Sequence, residues 1–239
     1  PKDLAIARTA QGLLSTRKLG KIGVFGGLEG AHGLNGRLED LPEFIDAGLG
    51  YVGLAHFTAN EACSPMVGWG SDPEAGLTDY GRELVDELNR LGLVIDVAHV
   101  NQPGLLEVCA RTRAPVICSH TACRAVHHSP RGISDAEIIA IANTGGVVGV
   151  IFVAPFIGPG GMQAVVRHLT HIRDLVGAEH CALGTDWEGW APFPRELASA
   201  EQLPRLTDAL LRQGWKPDEI VAMYGGNFLR VLGEVQRQV

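Results

Sequence analysis

The stretch from residue 92 to residue 120 constrains the fold more than any other. Two short apolar runs, 93–98 and 115–118, are rich in β-branched residues and bounded on both sides, the pattern of strands buried on both faces. Residues 103–110 (PGLLEVCA) between them have room for about two helical turns. The unit therefore reads as strand, helix, parallel strand, and each strand ends in a histidine, His99 and His120. Ligands and catalysis gather at the carboxyl ends of strands in parallel α/β folds, so these imidazoles are expected where they could share one metal ion.

The rest of the chain repeats this rhythm. Further apolar runs at 21–28, 51–55, 145–154 and 181–184 alternate with helix-like segments at 4–14, 38–47, 77–90, 134–143, 162–176, 204–213 and 217–235, the last broken at Gly225-Gly226. Gly48 is a stop signal, Thr78 is placed as an N-cap, and Ser134 with Glu137 reads as a capping box. Residues 57–76, polar and rich in glycine and proline, are too long for a plain connection and read as a functional loop. Such alternation predicts a parallel sheet with right-handed crossovers. Six strands are visible, whereas a closed (β/α)8 TIM-type barrel has eight over about 250 residues. The expected fold is that barrel without its first two strands, a single domain over residues 1–239.

Composition narrows the function. With 46% hydrophobic residues in 239, the chain can bury a sizeable core. A net charge of -7 with no basic cluster argues against nucleic acid as a partner. No apolar run reaches the roughly eighteen residues of a membrane span, and PKDLAIARTAQ does not read as a signal peptide. Cys63, Cys109, Cys118, Cys123 and Cys181 are odd in number, lack CxxC spacing and sit in apolar contexts. They read as reduced, buried thiols, which places the expected location in the cytoplasm.

Five of the six strands run directly into a side chain with metal or acid-base chemistry: Glu29, His56, His99, His120 and Asp186. Taken singly, each histidine could be a satisfied core or rim residue. Together they favour a site, and a carboxylate among imidazoles suits zinc or a similar borderline divalent ion, which would draw the pKa of a bound water towards neutrality.

The motifs LEGAHGL, YVGLAHFTAN, GLTDYGRELVDELNRLGLVIDVAHV, PVICSH, SPRGIS, LGTDWEG and GGNFLRVL, in this order along nearly the whole chain, resemble the membrane dipeptidase (renal dipeptidase) family of zinc peptidases. The resemblance implies a metal-dependent hydrolase barrel with two zinc ions. It also implies hydrolysis of dipeptides by a metal-activated hydroxide, often with tolerance for a C-terminal D-residue, and a homodimer. It implies that Glu29 bridges the two metals and that His99 and His120 ligate the second. His56 would polarise the scissile carbonyl, Arg131 would grip the substrate carboxylate, and Asp186 would act as acid-base. Competing structural roles are a solvated loop charge for Arg131 and a turn cap for Asp186. His32 reads as support for the ligands, and Asn227 as a cap of the last helix that orders the barrel end. His127, His128, His168 and His171 are expected at the surface.

The family's His-x-Asp motif, which supplies the other metal's ligands, does not occur in this sequence. One zinc on Glu29, His99 and His120 is therefore also compatible. An opened barrel leaves apolar edges that something must cover. A fragment of a longer product is the favoured explanation, ahead of strands supplied by another chain and of a rearranged fold. Two alternatives to a dipeptidase follow. One is a catalytically silent relative, or truncated chain, that binds a peptide or a partner through the barrel mouth. The other is a barrel metallohydrolase acting on lactones or phosphoesters.

Overall fold

Parallel strands and helices alternate from Leu4 onward in the computed structural model, which describes residues 2–189 and 191–238. The chain forms two compact units, residues 1–116 with 229–239, and residues 117–228.

In the first unit, Leu4–Ile6 is a strand (β1), not the start of the helix expected over 4–14. The helix α1, Ala10–Lys18, begins only after Thr9, whose side chain accepts from the Gly12 N–H. Pairing outweighs local propensity here: β1 lies parallel to β2, Ile22–Val24. The expected strand 21–28 is split at Phe25, because β3, Gly26–Leu28, pairs instead with β4, Leu49–Gly53. Gly27 permits that pairing, since a Cβ there would fall 1.9 Å from the Tyr51 ring. Ile6 and Ile22 remain 67% and 65% exposed, an apolar strip of the kind expected at an open sheet edge. The helix α2, Leu41–Ala47, stops at Gly48 (φ 112°). Thr78 caps α3, Asp79–Leu91, by accepting from the Gly81 N–H at 3.0 Å, and the helix buries Leu84, Val85 and Leu88 before ending at Gly92 (φ 66°). β5, Val94–Asp96, completes the parallel order β3-β4-β5, and α4, Gln102–Arg111, is capped by Asn101.

In the second unit, β6 (Ile117–Cys123), β8 (Val147–Ile151) and β9 (Cys181–Gly184) run parallel, with β7 (Gly132–Ile133) alongside β6. Every residue of β8 is buried, as its uninterrupted apolar sequence requires. The helix α5, Asp135–Asn143, carries the expected capping box of Ser134 and Glu137. It is followed by α6 (Ala154–Ile157), α7 (Met162–Val176), α8 (Leu203–Arg212) and α9 (Pro217–Val221). The expected break falls at Gly225, after which α10 (Asn227–Gln236) starts. Asn227 does more than begin that helix: its side chain donates to the carbonyls of Ala178 and Cys181, both at 2.8 Å, and ties the helix start to β9.

All five cysteines are free, and burial pushes the thiols of Cys63, Cys123 and Cys181 up, which makes them poor nucleophiles. The surface expectation fails for His168, which has no exposed area. Its Nδ1 accepts from the Cys123 N–H at 2.9 Å and its Nε2 donates to the Ile157 carbonyl at 3.1 Å, so the neutral ring is satisfied on both sides. His171 is also partly buried and meets Asp135 at 2.7 Å.

Burial lowers the His168 pKa to about 4, outweighing the hydrogen bond to Ile157, which favours the cation. Between pH 4 and the ordinary histidine value near 6.5, the unfolded chain binds a proton that the folded chain does not. Stability contributed by this site is thus complete above about pH 6.5 and lost as pH falls towards 4, by about 3 kcal/mol in all. Chemical denaturation of the wild type and His168→Gln across that range is expected to show a shallower acid slope in the variant. Parallel slopes would remove His168 as the cause.

Candidate metal centre and active site

Glu29 stands immediately after β3, where the chain turns at Gly30 (φ 90°). Gly53 of β4 passes so close that a Cβ would lie 3.2 Å from the Gly30 nitrogen and the Leu28 carbonyl, so glycine there lets the strands close beneath Glu29. His56 follows β4 by three residues, and His99 follows β5 by the same interval.

His99 has φ 68°, a left-handed conformation uncommon for a residue with a side chain. Its surroundings hold it there. The His99 carbonyl accepts from Met66 N–H at 2.7 Å, and the Asn101 amide donates to the carbonyls of Asp72 and Ala75 at 2.7 and 2.6 Å. The long loop over residues 57–76 is thus pinned to the end of β5.

These elements bring three of the expected residues together. His99 Nε2 lies 3.2 Å from Glu29 Oε1, and His56 Nε2 lies 3.8 Å from Glu29 Oε2. The two imidazole rings meet edge-on at 4.7 Å. The His99 side chain is 3% exposed, while those of His56 and Glu29 are 42% and 47% exposed. A sheltered nitrogen therefore faces a carboxylate that opens to solvent, and the two supply borderline and hard donors of the kind zinc accepts. Burial and the negative charges of Asp96 and Glu29 push the Tyr51 phenol up to about 12.

The second unit holds the other three. Opposite Gly149 of β8, β6 has two residues, Ser119 and His120, where regular pairing allows one. This bulge re-aims the His120 side chain. Room for it comes from two glycines: a Cβ at Gly149 or Gly184 would lie 2.1 or 2.0 Å from the Ser119 carbonyl oxygen. Ser119 Oγ meets His120 Nδ1 at 2.8 Å, which orients the ring.

Arg131 is 1% exposed and donates to the His120 carbonyl at 3.1 Å, while Thr121 Oγ1 donates to the Arg131 carbonyl at 2.8 Å. It is not a solvated loop charge. Asp186, two residues beyond β9, has φ 57°, and Glu188 has φ 70°. Three of the four non-glycine residues with positive φ among the described residues, His99, Asp186 and Glu188, therefore lie just past strand ends. Backbone strain of this kind clusters at functional sites. Glu188, four residues beyond β9, is not among the residues that directly end strands.

Comparison with known proteins agrees with this architecture. The chain is 31% identical to dipeptidase 3 of Rattus norvegicus over 242 residues, covering 98% of this chain and 49% of the relative. It spans about half the length of the curated relatives it matches. A Rhodobacter sphaeroides metallopeptidase, solved with a phosphinate mimic of the dipeptide L-Ala-D-Ala, superposes with a TM-score of 0.91 at 28% identity. That match covers 98% of this chain and 69% of the other. The M19 metallopeptidase described as dipeptidase AC also gives 0.91, at 27% identity, covering 98% and 72%. The parallel α/β fold is accordingly that of the (β/α)8-type metallohydrolases. Since the family pattern matches residues 1–239, this chain belongs to the membrane dipeptidase family, peptidase family M19.

Proposed function

We propose that this chain carries a zinc-dependent dipeptidase site that cleaves the peptide bond of dipeptides, including those with a C-terminal D-residue. The observation that carries this reading is the meeting of His99 Nε2 with Glu29 Oε1 at 3.2 Å, with His56 beside them. The dipeptide mimic bound by the Rhodobacter sphaeroides relative supports the substrate class.

Glu29, His99 and His120 would hold at least one ion. When bound, that ion supplies Lewis acidity and draws the pKa of water towards neutrality. His56 donates from Nε2 to the scissile carbonyl oxygen as negative charge develops there. Asp186 takes the proton of the attacking water and passes it to the leaving amine, so that the C–N bond breaks as the new C–O bond is kept. Arg131 presents a planar fork of donors that matches the terminal carboxylate, and its burial strengthens that pairing by excluding water.

The test is metal analysis with hydrolysis of L-Ala-D-Ala and Gly-D-Ala in the presence of zinc. At least one equivalent of zinc and turnover of both substrates are expected. In Arg131→Ala, KM for the dipeptides is expected to rise about tenfold or more, with no change for a carboxyl-blocked amide. Neither bound metal nor turnover in the wild type would overturn the reading in favour of a silent binding relative. Equal effects of Arg131→Ala on both substrate types would remove the carboxylate clamp alone.

A further inference from the structure

Phe57 directly follows His56, and its ring meets both site histidines edge-on, with centroids 4.7 Å from His56 and 4.8 Å from His99. It is nevertheless 41% exposed, so this ring is not filling a core. Its backbone is fixed on the loop: Trp69 N–H donates to the Phe57 carbonyl and Ala59 N–H to the Trp69 carbonyl, both at 2.8 Å. Gly68 (φ 124°) makes that closure possible, since a Cβ there would lie 2.1 Å from the Phe57 oxygen. A half-exposed aromatic face is thus held rigidly against the histidine that would polarise the scissile carbonyl.

We infer that Phe57 is the apolar wall of the subsite for the side chain of the amino-terminal residue of the dipeptide, and that it selects apolar side chains there; the inference rests on the dipeptidase reading. The scissile carbonyl belongs to that residue, whose Cβ is only two bonds from the carbonyl carbon. A carbonyl oxygen in hydrogen-bond reach of His56 Nε2 therefore brings that Cβ and its substituents within contact range of a ring packed on His56. The Cβ of the other residue lies beyond the scissile nitrogen, one bond farther from the carbonyl carbon. An apolar pocket wall changes discrimination between side chains differing by a few methylenes by about tenfold or more.

The test uses the full chain loaded with zinc. Calorimetry measures binding of two phosphinate dipeptide mimics that carry either glycine-like or leucine-like side chains at the amino-terminal position, and kcat/KM is measured for Gly-D-Ala and Leu-D-Ala. The wild type is expected to favour the leucine member of each pair by about tenfold. In Phe57→Ala that ratio is expected to fall close to one at unchanged metal content, and Phe57→Leu should restore part of it. An unchanged ratio in Phe57→Ala, a ratio near one in the wild type, or an equal loss for both members would overturn the subsite while leaving the dipeptidase reading in place. A zinc-loaded wild type that binds neither mimic and cleaves neither dipeptide would overturn the dipeptidase reading, and the subsite with it.

Discussion

His99→Ala is expected to abolish stoichiometric metal binding. Even residues that only orient a ligand change metal affinity by about 10–100-fold, so loss of a direct donor should exceed about 100-fold. His99 is the most sheltered of the three donors, at 3% exposure, and loop 57–76 fixes its backbone. The alanine variant also inherits a left-handed backbone at φ 68°, which costs about 1 kcal/mol for an ordinary residue. His99→Asn separates the two effects, because asparagine tolerates that conformation. Metal titration should fail in both variants, whereas thermal stability of the metal-free protein should drop chiefly in the alanine one. Full metal stoichiometry in both would show that the site has been misplaced.

Asp186→Asn should have the opposite signature. The amide nearly matches the carboxylate in shape and tolerates φ 57°, so folding and metal content are expected to remain at wild-type levels. What disappears is the proton acceptor and donor, and positioned acid-base groups contribute about 10²–10⁴-fold to a rate. The expected result is a fall in kcat of that size with little change in KM for L-Ala-D-Ala. A kcat within a few-fold of the wild type would exclude the acid-base role, and loss of metal would reassign Asp186 as a ligand.

Local chemistry made much of this molecule readable in advance. Gly48 as a helix stop, Thr78 as a cap and the Ser134–Glu137 box all act within a few residues of themselves, and each occurs as expected. The continuous apolar run of β8 could only be buried on both faces. The same alternation located Glu29, His56 and His99 at strand ends, and the structure brings those three into contact. Features that depend on distant partners stayed hidden. Three residues at Leu4–Ile6 become a strand only because Ile22–Val24 lies alongside, and the run 21–28 divides because its two halves have different neighbours. His168 looks like a surface residue until Cys123 and Ile157, far away in sequence, satisfy both ring nitrogens. Neither the left-handed turn at His99 nor the doubled residue at Ser119–His120 leaves a mark in composition or periodicity.

The Ser119–His120 bulge has a consequence for anyone seeking to move this chemistry to another scaffold. The aim of the imidazole is a property of three adjacent strands, because hydrogen is all that positions 149 and 184 can carry while the Ser119 oxygen projects between them. Grafting the histidine alone would transplant a donor atom without its direction. The smallest transferable unit is the histidine, its preceding serine and both glycines, because any side chain at either glycine would meet the Ser119 carbonyl oxygen.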